Sequence, residues 1–455
     1  MIDLKKNKTY CPYLFRGAVT SMPRLEIVPC CRFDLKLARQ ELEGDQMYPT
    51  TFNEGYDNMW KSVRQKSLNG ETIKACWRCY DDESKGIESM RTGALQHHEN
   101  ADQYDCELSY YSQDQIDYTQ PTLQFLEIQT GRFCNLKCRS CGPSLSTTWD
   151  EDLANNKKAV ENFYGGDERV YNRVKQLPKT NQYLSDISKD TIKNLTRVKV
   201  TGGEPFLNDQ FQTFLANLVK WDLAKNITIE VITNCSFFPK VGYRRLLVNF
   251  KNVKITLSLD GIKERAEFLR KRSVWSKVES SAKKWLTYCQ ENNNTRLSIN
   301  HTITIYNVLY IKEFLEWMIK FFPIEKLGMR KLNFEPTIAS TPKYLAVANQ
   351  KNNTKLRILQ ILEGEFDPFY NKHTLLKNEA TKLIVRRVYD KCITVLQSSI
   401  ESNNTSWKDL RKNALQNKHT HKLTEEFYEK TALFDSIRNE DWRGVFPELA
   451  EIIDE

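Results

Sequence analysis

The sequence predicts an α/β protein centred on a partial (β/α)6 TIM-type barrel. Three observations predict it. Six short runs rich in alternating or β-branched residues recur between residues 123 and 334. Segments with apolar residues at helical spacing separate them. After about residue 340 only helical spacing remains. Strands that alternate with helices imply a parallel sheet with right-handed crossovers.

The strands are read in order. Leu123 to Thr130 is the first, Val198 to Thr201 the second and Ile227 to Thr233 the third. Val253 to Leu259, Arg296 to Ile303 and Lys331 to Phe334 follow. Phe211, Phe214, Leu215 and Leu218 share one helical face, as do Ile311, Phe314, Leu315 and Met318. Residues 145–195 read as a long polar insertion before the second strand. Leu356, Leu359 and Leu362 predict a helix, and Leu383 to Leu396 and Phe427 to Ile437 two more. Phe446 to Ile453 predicts a short docked helix. The polar stretch Gln113 to Pro121 reads as a linker. The expected domains are a Cys-rich module over 1–120, the barrel over 121–339 and a mainly helical region over 340–455.

Composition sets the class. The chain has 455 residues, 40% of them hydrophobic and 27% charged, as in a globular protein. No segment approaches the roughly 18 consecutive apolar residues of a membrane span. Met1 to Lys6 lacks the apolar core of a signal peptide. A cytoplasmic location is expected, with no membrane partner. There the twelve cysteines are metal ligands or free thiols rather than disulfides. The net charge of +9 is spread along the chain, and no RNA-binding module is recognisable. A nucleic-acid partner is therefore not expected.

The chemistry concentrates in Cys134-Asn-Leu-Lys-Cys138-Arg-Ser-Cys141. Three cysteines at this spacing can reach three corners of one iron–sulfur cube and leave its fourth iron open. A cluster that only carries electrons normally has four cysteine ligands. Zinc is the alternative reading of the triplet. Thr201-Gly-Gly-Glu-Pro205 follows the second strand, and its glycines would let a ligand approach the backbone. Thr233-Asn234 ends the third strand and Ser258-Leu-Asp260-Gly261 the fourth. Arg270 stands a dozen residues beyond Ser258. Its guanidinium suits a carboxylate.

Together these motifs resemble the radical S-adenosylmethionine (SAM) superfamily, in particular its twitch/SPASM branch. The resemblance implies a SAM-binding 4Fe–4S cluster on Cys134, Cys138 and Cys141. It implies SAM binding by Gly202, Gly203, Glu204 and Pro205, which receive the methionine amine. Asn234, Ser258, Asp260 and Arg270 complete the implied cofactor site. One departure is Ser140, where many members carry an aromatic residue near the adenine.

Cys11, Cys30, Cys31, Cys76, Cys79 and Cys106 precede the triplet. A Cys-x2-Cys pair with two distant cysteines makes a four-thiolate site, for which a zinc ribbon and a redox pair are alternatives. The wording from Cys11 to Cys79 is similar to a twitch-type auxiliary domain, here ahead of the barrel. Lys66 to Glu71, Glu83 to Arg91, and Phe434 to Arg438 with Phe446 to Glu448 are similar to the twitch-containing radical-SAM family as a whole. The auxiliary-domain similarity implies a second 4Fe–4S cluster on Cys11, Cys30, Cys76 and Cys79. Cys31 is an alternative to Cys30, and Cys106 is expected to be a plain thiol. Cys235, His301 and Glu335 are candidate proton donors or acceptors toward substrate.

The expected activity is reductive cleavage of SAM to a 5′-deoxyadenosyl radical that abstracts hydrogen from a peptide or protein side chain. A small molecule, a carbohydrate or RNA is the alternative substrate, and a non-catalytic iron–sulfur scaffold the alternative class. A flavodoxin or ferredoxin is the expected electron donor.

Overall fold

The β-branched runs form strands where their pattern places them. In the computed structural model β1 spans Gly17–Ser21, β2 Glu26–Val28, β3 Phe125–Gln129, β4 Lys137–Cys138 and β5 Arg197–Thr201. β6 spans Thr228–Thr233, β7 Asn252–Ser258, β8 Arg270–Lys271, β9 Thr295–Ile303 and β10 Leu332–Ile338. The structure describes residues 7–21, 26–41, 51–53, 56, 60–84, 88–95, 122–154, 156–164, 172, 175–176, 179–181, 183–324, 331–372, 376, 379–401 and 407–454. The expected linker at 113–121 and Cys106 lie outside them.

The hydrogen-bonded strand order is β10-β9-β7-β6-β5-β3-β1-β2. β1 with β3, β3 with β5, β5 with β6, and β9 with β10 run parallel. Among the described residues, the N-terminal strands β1 and β2 belong to this same sheet. β1 extends the sheet next to β3, and β2 closes its edge as an antiparallel hairpin partner.

The chain divides into two compact units. One comprises Met1–Cys134, Gln176–Thr233 and Pro239–Ile255. The other comprises Asn135–Lys175, Asn234–Phe238 and Thr256–Glu455. In the first, period-two alternation buries Leu126, Ile128, Val198, Val200, Ile229 and Val231 completely. The opposite face carries charge in register. Glu127 stands opposite Lys199, and Lys199 opposite Glu230. Glu230 bonds Arg197 at 3.0 Å and Lys254 at 3.1 Å. Burial pushes the Glu230 carboxyl up, but Lys254 and Arg197 outweigh it and hold the group at about 2. A second core gathers Tyr10, Tyr13, Leu14, Phe33, Trp60 and Phe125, with Cys30 and Cys76 packed against it. Helix α1, Asp209–Lys220, starts at Asn208, whose side chain caps Phe211 N–H. It buries the predicted Phe211, Phe214, Leu215 and Leu218.

In the second unit, helix α2 spans Lys263–Leu269, α3 Trp275–Glu291 and α4 Ile311–Phe321. α4 buries the predicted Ile311, Phe314, Leu315 and Met318. α5 covers Asn352–Lys372, α6 Glu379–Glu401, α7 Trp407–Arg438 and α8 Pro447–Asp454. α5 forms where Leu356, Leu359 and Leu362 predict a helix. Lys355, Ile358, Leu362 and Phe369 are buried, whereas Leu356 is 41% exposed. Residues 145–195 are no featureless polar insertion. They hold helices at Trp149–Leu153, Lys157–Tyr164, Tyr183–Asp186 and Lys189–Ile192. Trp149, Leu153, Tyr183 and Leu184 are buried there.

Candidate functional site

In the first unit the Gly-Gly-Glu turn grips the approach to Cys134. Gly203 N–H donates to Gly131 O at 2.7 Å, and Glu204 N–H to Phe133 O at 2.9 Å. A Cβ on Gly203 would lie 2.2 Å from Phe133 O. One on Gly202, where φ is +114°, would lie 2.6 Å from Thr130 N. At both positions the close neighbour a Cβ would meet is the chain's own backbone. Glu204 is fully buried. Its Oε1 accepts from Thr233 Oγ1 at 2.8 Å and from Phe206 N–H at 3.3 Å. Pro205 opens the short helix Pro205–Leu207 that follows.

In the second unit Cys138 and Arg270 face each other across a two-stranded ribbon. β4 and β8 pair antiparallel, with Cys138 the register partner of Arg270. Arg270 Nη1 lies 3.9 Å from Cys138 Sγ. Cys141 hydrogen-bonds the Cys138 thiol and lowers its pKa; burial opposes this, and Arg270 adds to the lowering. Arg270 Nη2 is 2.7 Å from Asp260 Oδ2. Asp260 Oδ1 accepts from Thr302 N–H at 3.0 Å, and Asn307 Nδ2 holds Asp260 O at 2.7 Å. Asp260 therefore orients Arg270. Ser258 is buried at the end of β7. Asn234 Nδ2 donates to Asn135 Oδ1 at 2.9 Å, and its Oδ1 accepts from Ser236 N–H at 2.9 Å. Asn135, one residue after Cys134, was not singled out by spacing.

Of the proposed proton-transfer residues, His301 and Glu335 sit on the paired strands β9 and β10, one register step apart. Cys235 is fully buried, its Sγ 3.6 Å from Ser281 Oγ and 3.7 Å from Val278 O. Its φ of +59° is the conformation glycine adopts easily. His301 is 1% exposed and stacks on Phe314 at 4.1 Å. Its Nδ1 is 2.8 Å from Leu259 O, and burial pushes its pKa down. Alternation places His301 with buried Leu297, Ile299 and Ile303, on the α4 side of β9. Glu335 lies on β10 and accepts from Asn333 Nδ2 at 3.1 Å.

At the N-terminus Cys11, Cys30, Cys76 and Cys79 feel one another's charge. Burial, then Cys76, raises the Cys11 pKa. Burial, then Cys11, raises that of Cys30, with Cys79 contributing. Cys31 is exposed, with its Sγ 4.0 Å from Met90 Sδ. Among the described residues no group of three His, Cys, Asp or Glu side chains is arranged to hold a metal ion. The donor chemistry nevertheless fits a cluster. Cys138 and Cys141 touch beside a guanidinium that favours thiolate, and thiolate is the ligating form. The four N-terminal thiols would give up their protons on ligation, and the positive charge of the iron would offset the repulsion among the thiolates.

No protein-family model and no curated relative matches the chain. Solved structures are similar in part. Native anSMEcpe with bound AdoMet is 19% identical over 55% of this chain and 61% of its own, with a TM-score of 0.33. Streptococcus suis SuiB bound to precursor peptide SuiA is 16% identical over 73% and 56%, with a TM-score of 0.31. TYW1 with a lysine-pyruvate adduct bound is 14% identical over 53% and 71%, with a TM-score of 0.24. The chain thus spans about three fifths of the length of the first of these.

Proposed function

We propose that the chain is a radical-SAM enzyme. The observation that carries this is the Cys138–Cys141 thiol pair with Arg270 against Cys138, inside a cysteine triplet of the spacing that leaves one iron open. Cys134, Cys138 and Cys141 would hold the SAM cluster, and Cys11, Cys30, Cys76 and Cys79 an auxiliary cluster. When bound, cluster and SAM together supply one-electron cleavage to a 5′-deoxyadenosyl radical. The protein's own residues bind and orient. Arg270, held by Asp260, offers its guanidinium to the SAM carboxylate. The Gly202–Glu204 turn fixes the backbone before Cys134 and receives the methionine amine.

Hydrogen abstraction from a peptide or protein side chain is the reading taken for the substrate. It follows the twitch/SPASM resemblance of the motifs. A flavodoxin or ferredoxin would supply electrons.

Anaerobic reconstitution tests the assignment. About eight irons per chain are expected on a two-cubane count, with release of 5′-deoxyadenosine on reduction with SAM. Replacing Cys134, Cys138 and Cys141 by Ala should leave about four irons and abolish release. SAM cleavage that persists in the triple variant would falsify the assignment.

A further inference from the structure

We propose that the turn Asp435–Glu440, at the end of α7, positions the cysteine loop, with Asp435, Arg438 and Glu440 as its positioning residues. The consequence for a cluster rests on the radical-SAM reading; the hold on the loop does not.

Both chain neighbours of Cys138 are tied to this turn. Arg139 Nη2 bonds Asp435 Oδ1 and lies 2.7 Å from Glu440 Oε2. Its guanidinium also covers the Phe268 ring at 3.9 Å. Lys137 pairs with Asp152, and Asp152 Oδ2 is 2.7 Å from Arg438 Nε. Lys271, on the strand opposite, reaches Glu440 Oε1 at 2.9 Å. The side chains of Arg139, Asp152 and Arg438 are 3%, 2% and 0% exposed.

Asn439 makes the arrangement possible. Its φ of +50° reverses the chain between Arg438 and Glu440, and Glu440 N–H closes the turn on Asp435 O at 2.9 Å. Asn tolerates that left-handed conformation. Arg438 then reaches Lys137 through Asp152, while Glu440 reaches Arg139 and Lys271. Buried ion pairs lose much when one partner is removed, so the network holds or releases as a unit.

The test reads the thiols directly, without a cluster. Asp435→Asn and Glu440→Gln are combined in the full chain. The Asp435→Asn amide keeps an oxygen for Trp442 N–H, which Asp435 Oδ2 now accepts at 2.8 Å. Alkylation rates by iodoacetamide are followed per cysteine by mass spectrometry in metal-free protein. Cys138 and Cys141 should react about fivefold faster or more through local opening. Buried Cys289 and Cys392 should be unchanged. Asp441→Ala removes a neighbouring helix cap that bonds Arg443 and Gly444 N–H, and should leave Cys138 and Cys141 at the wild-type rate. Glu440→Asp in place of Gln should restore part of the protection. Unchanged rates at Cys138 and Cys141 overturn the proposal. So does acceleration shared with Cys392 or with the Asp441→Ala protein. If wild-type protein fails to cleave SAM while the thiol result holds, the radical-SAM reading falls and the positioning role stands.

Discussion

Cys235 shows what a single residue can carry. It follows Asn234 in the left-handed region, at a φ of +59°, with its sulfur packed on Val278 and Ser281. Left-handed backbone costs an L-residue roughly 1–2 kcal/mol, and glycine avoids that cost. Cys235→Gly and Cys235→Ala both lose the sulfur contacts, but only the alanine keeps the strain. The glycine variant should melt no lower than the alanine variant, reversing the ordinary order. Thermal unfolding by circular dichroism checks this. An alanine protein more stable by over about 1 kcal/mol would show that the strain is negligible. Glu230 gives a pH signature. Its folded pKa, about 2, is below the ordinary carboxylate value. Its contribution is therefore complete above about pH 4.3 and is lost as pH falls toward 2. Glu230→Gln leaves Arg197 and Lys254 without their carboxylate and should cost about 3–5 kcal/mol at neutral pH in urea unfolding. A loss under about 1 kcal/mol would mean water replaces the carboxylate.

Among the elements, the strands were legible because each carries its own β-branched run. The helical faces of α1 and α4 were legible for the same reason, one apolar stripe at period 3.6. The buried face of α5 was not legible, because it includes Lys355, 2% exposed and bonded to Ser399 O on α6 at 3.0 Å. No apolar pattern announces a buried lysine. Burial lowers the Lys355 pKa to about 8. The unfolded chain then binds more protons between about pH 8 and 10.4, so stability should rise with pH across that window. Lys355→Met should abolish the rise. Equal slopes for both proteins in urea titrations at pH 8 and 10 would refute the assignment. The ribbon of β4 and β8 was invisible for a different reason. Two residues a side are too short for periodicity, and only pairing reveals that Cys138 faces Arg270. The Asp260–Arg270 bond followed from neither spacing nor composition, although both residues had been singled out.

For the whole molecule, the sequence yielded six strands in the order in which they occur and a helical C-terminal quarter. It did not reveal that β1 joins the same sheet, because a parallel partner leaves no mark in the added strand itself. Nor did it reveal that the far C-terminus reaches the cysteine loop. In the second unit Tyr306 packs against Phe427, Trp442 and Phe446, and Trp149 against Phe434. A chain ending at residue 406 loses those aromatic partners and the carboxylates that Arg139 needs. It should lack a cooperative thermal transition, and a sharp transition near the full-length Tm would refute this.

The β1–β3 pairing has a consequence in time. β1 leaves the ribosome with its hairpin partner β2 close behind, but roughly a hundred residues before its parallel partner β3 exists. At about 5–20 residues per second, that is a wait on the order of 5–20 s. Throughout it, the apolar run Tyr13-Leu-Phe and an open strand edge have no sheet to join. Yield in a cell therefore depends on how well nascent chain is shielded during that interval. Slower synthesis lengthens the exposure, whereas a holdase that occupies residues 13–21 would shorten the part of it that matters.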